Sequence, residues 1–210
     1  MNNSSNPLIY LASASPRRSA LLRQICAAHE VRPVHVDETR LPQESPGRYV
    51  ERLAALKAET LWTQLSPVER RAVLGSDTTV ALGEQVLEKP ADAADGLRML
   101  ALLSGRTHQV YTAVALRHEG GCAARLSVSE VTFRELSAEE RAAYWRTGEP
   151  VDKAGGYAVQ GLAAVFIERI SGSYSGIMGL PLFETAQLLQ TIGWRLPAAP
   201  AAQTDARVNG

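Results

Sequence analysis

An α/β fold built on a mixed sheet is predicted by two features of this chain. Over its first half, short apolar runs alternate with segments of helical period. Further along, two long strand-like segments flank Gly120–Gly121, the strongest hairpin signal in the sequence. Parallel βα units and an antiparallel hairpin in one chain call for a mixed sheet with helices on its faces.

The elements follow in order. "LIYLA" (Leu8–Ala12) reads as a short buried strand. Ser15 is a favoured N-cap and Pro16 suits the first helical position, so a helix begins there, with Leu21, Leu22 and Ile25 at helical spacing. A second helix follows "ESPGRY" and runs to about Trp62. "AVLGSDTTVAL" (Ala72–Leu82) reads as a central strand interrupted by polar residues. Asp92 opens a helix that Gly105 ends, and Ser137 and Glu140 stand in capping-box spacing in "SAEERAAYWRTG". A glycine-rich stretch, Gly155 to Gly161, precedes a strand near Val165–Ile170, and a last helix covers about Pro181–Gly193. Residues 1–7 are expected to be a flexible start. From Leu196 onward periodicity is lost, so 195–210 is expected to be a disordered tail.

Composition narrows the function. With 22 basic against 22 acidic residues, the chain lacks the basic excess of a bulk nucleic-acid binder, and no stable nucleic-acid partner is expected. No apolar run is long enough for a membrane span, and "MNNSSNPLIY" has neither the basic nor the long apolar region of a signal peptide. Cys26 and Cys122, far apart and flanked by alanines, read as small buried hydrophobes in a reducing cytosol. The histidines, His29, His35, His108 and His118, show no zinc spacing, and neither a Walker A sequence nor a G-x-S-x-G elbow occurs.

Charge stands where apolar surface is expected. Arg17 and Arg18 lie at a helix N-terminus, the positive end of the backbone dipole, which calls for an anion between them and the helix. Lys57 falls in the middle of the apolar stripe made by Val50, Leu53, Ala54 and Leu61, either snorkelling to water or lining a wet cavity. Asp77, at the end of a buried strand, is a metal ligand or proton acceptor, or else a turn carboxylate. Lys89 alone reads as an exposed loop lysine, and Asp37–Glu38 as a solvated turn. Together the set has a chemistry: cations for a polyphosphate, hard oxygens from Asp77 and Glu38 for Mg²⁺ or Mn²⁺, and a positioned base.

Six segments in order, "LASASPRR", "VLGSDTTV", "VLEKP", "LSGRTHQVYTAV", "DKAGGYAVQG" and "GSYSGIMGLPL", resemble the Maf (septum formation inhibitor-like) nucleotide pyrophosphatases over about Leu8 to Trp194. The resemblance implies one elongated α/β domain over 8–194 with a central nucleotide cleft, often dimeric. It implies a cytoplasmic, metal-dependent hydrolase that splits a nucleoside triphosphate into a monophosphate and pyrophosphate. Asp77 is similar to the family's proton acceptor. Arg17, Thr78 and Gln160 match positions associated with base selectivity. Ser15, Arg18, Glu38, Lys57 and Lys89 match residues on the phosphate and metal side. "SPRR", without a tryptophan after the proline, and "GGYAVQG" resemble the dTTP/UTP branch. The alternatives are a pyrophosphatase for another or modified nucleotide, such as 7-methyl-GTP, and a division-related regulatory binder. Gln160 offers one acceptor and one donor, complementary to the N3–H and a carbonyl of uracil or thymine. One departure is Ser76, where the family more often has alanine.

Overall fold

The computed structural model describes residues 6–196. The expected flexible start lies mostly outside the described residues, as does the expected tail beyond Leu196.

The elements run β1 (Ile9–Leu11), α1 (Pro16–Gln24), β2 (His29–Val31), α2 (Pro46–Gln64), β3 (Val73–Leu82), β4 (Gln85–Leu87), α3 (Ala93–Leu103), β5 (Thr107–His118), β6 (Gly121–Phe133), α4 (Ala138–Arg146), β7 (Ile167–Ser171), α5 (Tyr174–Met178) and α6 (Leu182–Gln190). The predicted mixed α/β sheet is present, in the order β2-β1-β3-β5-β6-β7, with β4 also on β3. β1 runs parallel to β2 and β3, while β3–β4, β3–β5, β5–β6 and β6–β7 are antiparallel. The hairpin expected around Gly120–Gly121 pairs continuously from Thr107↔Thr132 to His118↔Gly121.

Alternation along β3 divides the core between its two faces. Val73 packs with α2 residues such as Leu53, Ala54 and Ala58, and Leu74 packs with Leu21, Leu22, Leu188 and Leu189 of α1 and α6. A third cluster, around Leu100, Leu103, Phe133 and Tyr157, fills the far end under α3 and α4. α2 lies close against β3 because residue 75 is glycine. A Cβ there would stand 2.2 Å from the Ala54 carbonyl oxygen and 2.8 Å from the Ala58 nitrogen.

β3 also forks the sheet. β5 covers one of its edges from Val73 to Ala81. The other edge is shared: β1 pairs at Val73–Leu74 and β4 at Val80–Leu82, so among the described residues Gly75–Thr79 have no strand neighbour there. Beyond Ala12, β1's chain turns away into α1. At the gap this opens, Asp77, Thr78 and Thr79 of β3 line a cleft.

Several local expectations are corrected. Asp77 sits at the middle of β3, not at a strand end, and it is reachable because of the fork. The strand placed near Val165 begins only at Ile167, since Leu162–Phe166 coil as a 3₁₀ turn that buries Ala163 and Phe166. α1 ends at Gln24 with Ile25 as its C-cap, and α6 spans Leu182–Gln190 with Pro181 as its N-cap. Cys26 and Cys122 are exposed, not buried. Cys26 takes a left-handed turn (φ 55°) just after α1, and Cys122 follows the hairpin turn at the start of β6. The short β2, β4 and α5 carry too few residues for a periodic signal.

Candidate active site

The fork opens into a cleft of about 1150 Å³ that all nine residues singled out from the sequence line: Ser15, Arg17, Arg18, Glu38, Lys57, Asp77, Thr78, Lys89 and Gln160. They arrive from α1, the loop before α2, α2 itself, β3, the turn after β4 and the loop before β7. Their convergence is tertiary.

At the centre, Lys57 of α2 is buried, 8% exposed, and its ammonium is held by two carboxylates. Nζ lies 2.6 Å from Asp77 Oδ1 and 2.5 Å from Glu38 Oε1. Burial, the largest influence, pushes the Asp77 carboxyl above the ordinary aspartate range, and Lys57 and Arg18 pull against it without overcoming it. Burial pushes Glu38 upward too. There the hydrogen bond and charge of Lys57, with Lys89 and Arg18, prevail and hold it below the ordinary range. One ammonium thus sits between a carboxyl with raised basicity and one that stays ionised. Lys57 lines a polar cleft while its helix neighbours pack the core, which resolves the two readings of that residue.

The N-terminus of α1 enters the same cleft. Ser15 occupies the predicted N-cap position but its side chain makes no capping bond. Arg18 has partners within the protein as well. Its Nε donates to the Gly179 carbonyl at 2.8 Å, Nη1 to Ser13 Oγ at 2.9 Å and Nη2 to Thr78 Oγ1 at 3.4 Å. The negative partner is in part the chain's own carbonyl at the end of α5. Burial pulls the guanidinium down from its ordinary value, and nearby Asp77 opposes that. Among the described residues, Arg17, Lys89 and Gln160 have no side-chain hydrogen bond or ion pair within the protein. Gln160 and Lys89 are exposed at the cleft.

Reading the sequence missed other lining groups. The Tyr49 hydroxyl lies 2.8 Å from the Glu38 carbonyl and 3.1 Å from Glu88 Oε1, its one proton shared between these acceptors, so it ties the acidic loop to α2. Burial, then the charge of Glu88, keep that phenol protonated. Glu88 stands beside Lys89, and Asp152 and Lys153 pair with one another at the cleft wall. The "EKP" and "DKAGG" segments contained these residues, but nothing in their spacing marked them.

Over residues 8–192 the sequence matches the family described as Maf-like protein. The chain belongs to that family. Several relatives carry the name dTTP/UTP pyrophosphatase, two of them as follows. That of Aromatoleum aromaticum (strain DSM 19018 / LMG 30748 / EbN1) is 53% identical over 199 residues, 90% of this chain and 97% of the relative. That of Saccharophagus degradans (strain 2-40 / ATCC 43961 / DSM 17024) is 54% identical over 183 residues, 86% of this chain and 87% of the relative. Among solved structures, the Staphylococcus aureus Ham1 protein superposes with a TM-score of 0.48 at 13% identity, over 88% of this chain and 97% of that one. So loose a likeness carries no weight for this Maf-like chain. No helix among the described residues is long and apolar enough to cross a membrane.

Proposed function

We propose that this Maf-like chain is a nucleoside triphosphate pyrophosphatase that hydrolyses dTTP and UTP to the monophosphate and pyrophosphate. Relatives at about half identity over most of the chain bear that name. The observation that carries the chemistry is the meeting of Asp77, Lys57 and Glu38 at the fork of the sheet. Its substrates suit house-cleaning of the cytoplasmic nucleotide pool, and the resemblance adds a homodimer, which light scattering checks.

Asp77 accepts a proton from the attacking water. A carboxyl whose pKa burial has raised is a stronger base than an ordinary aspartate. The water oxygen bonds to the α-phosphorus, and the bond from that phosphorus to the bridging oxygen breaks, so pyrophosphate leaves. Lys57, Arg18 and Lys89 neutralise charge along the phosphate chain, with Ser15 and the first backbone N–H groups of α1. Gln160 reads the pyrimidine edge, and Arg17 and Thr78 complete the selectivity set.

A divalent cation, Mg²⁺ or Mn²⁺, fits the donor set. Glu38 and Asp77 present hard carboxylate oxygens close enough to share one ammonium. Among the described residues, no trio of His, Cys, Asp or Glu forms a cage. Mg²⁺ commonly takes one or two carboxylates and completes its shell with water and phosphate. When bound, it would supply charge neutralisation at the phosphate oxygens.

The test is product analysis with a nucleotide panel and either metal. UMP or dTMP plus pyrophosphate is the expected outcome. Primary release of orthophosphate and a diphosphate overturns the bond assignment, and preference for 7-methyl-GTP overturns the substrate assignment.

A further inference from the structure

The turn at the end of α5 is tied into the sheet by hydroxyls that the proposed chemistry leaves without a role. Thr112 lies directly opposite Thr78 across the β3–β5 ladder, and it is 1% exposed. Its Oγ1 lies 2.8 Å from the Gly176 carbonyl and 3.0 Å from Thr78 Oγ1. Ser76, fully buried on the same face of β3, places its Oγ 3.0 Å from the Gly179 carbonyl and 2.9 Å from that of Ala113. Gly179 carries the carbonyl that receives Arg18 Nε, and it does so at φ 116°, a conformation that L side chains rarely adopt.

A hydroxyl has one hydrogen to give and rotates to suit its partners. The Thr112 hydrogen lies between two acceptors, the Gly176 carbonyl and Thr78 Oγ1. Thr78 Oγ1 also accepts from Arg18 Nη2. Thr112 thus ties the end of α5 to the hydroxyl on which the guanidinium rests. A second brace fixes the other side of the guanidinium, where Ser76 and Arg18 converge on one carbonyl.

We propose that Thr112 is a positioning residue for Arg18, with Ser76 as its second brace. Together they set the plane of the guanidinium, so that its N–H groups not taken by the protein meet the phosphate chain. This rests on the function proposed above, and it gives a purpose to the serine at position 76. Guanidinium recognition of phosphate depends on the orientation of a rigid fork, so a small rotation weakens it without changing its charge.

A double-mutant cycle on the full chain decides it, with UTP and Mg²⁺ as the probe and folding followed by circular dichroism. Thr112→Val keeps the shape and removes the hydroxyl, and is expected to lower kcat about 10-fold with little change in KM. Thr112→Ser is expected to restore most of the activity. In an Arg18→Ala background, Thr112→Val should cost less than about 2-fold, because the group it positions is gone. Equal losses in both backgrounds, or no loss in either, overturn the proposal. Should Thr112→Val fail to fold, Ser76→Ala replaces it in the same cycle with the same criterion. If the wild-type protein hydrolyses no nucleoside triphosphate, the functional reading falls separately. The cycle is then run on calorimetric binding of inorganic triphosphate, where absence of coupling between residues 18 and 112 overturns the positioning as well.

Discussion

Asp77, Lys57 and Glu38 set one another's charge, and this gives Asp77→Asn a definite expectation. The amide is nearly isosteric, and Lys57 keeps Glu38 as its partner, so the variant folds. Loss of the proton acceptor should lower turnover by about 10²–10⁴-fold on every nucleotide alike. Steady-state rates across the panel check this, with thermal melting as the control for folding. The pH profile has a sign as well. Activity needs ionised Asp77, and burial raises its pKa above 3.8, so the acid limb of kcat/KM should lie above that value. An acid limb at or below it would take the role from Asp77. Gln160 behaves differently, being exposed and without a side-chain hydrogen bond inside the protein. Gln160→Glu removes the amide donor and leaves the phosphate machinery in place. Rates on UTP and dTTP should therefore fall relative to other nucleotides, with unchanged dependence on metal concentration. A parallel loss across the panel would move Gln160 from specificity to catalysis.

Among the elements, α2 and β3 depend on each other through a single glycine. The Cβ of Gly75→Ala would collide with the backbone of α2 at Ala54 and Ala58, which cannot rotate away as a side chain would. The helix must shift, and overpacking of this kind costs about 1–3 kcal/mol. Urea denaturation should report that loss. Because Lys57 rides on α2, turnover should fall even at temperatures where the variant is fully folded. Unchanged turnover would mean that the Lys57–Asp77 contact tolerates the shift. Much of this element pair was legible beforehand: helical spacing placed Lys57 among apolar neighbours, and the polar interruption marked β3. The need for Gly75 was not legible, because a close approach between distant segments leaves no local pattern. α4 shows the opposite case, since its capping box and its fulfilment lie within four residues.

At the scale of the molecule, stability is expected to fall in acid through His108. This residue is fully buried against Phe133 and Tyr157, and its Nε2 lies 2.8 Å from the Tyr157 hydroxyl. Burial pushes its pKa down from 6.5 to about 4. The unfolded chain therefore binds a proton where the folded chain refuses it, so the contribution is complete above 6.5 and drains away as pH falls toward 4. Melting temperature followed across this interval should drop more steeply in wild type than in His108→Phe, whatever the variant's starting stability. Parallel slopes would show that other groups govern the acid transition. Tyr157 also lines the cleft, so the far core and the site share this aromatic contact.

What the sequence determined by itself was local or periodic: the N-caps, the hairpin, the buried strand and the helix stripes. Their signals lie within one turn or a few alternations of chain. It also supplied the residue types of the site, because charge on an apolar face is anomalous wherever it occurs. Tertiary structure decided how those residues are used. It put Asp77 at mid-strand and made it reachable by splitting β1 from β4 along one edge of β3. It gave Arg18 the Gly179 carbonyl, 161 residues away, which no spacing rule connects to the start of α1. It left Cys26 and Cys122 exposed, since burial depends on which neighbours arrive from elsewhere in the chain. Local pattern fixes what a segment forms and which residues are out of place on it. Only packing between distant segments determines which donors meet which acceptors, and that meeting sets the charge and orientation of the groups in the cleft.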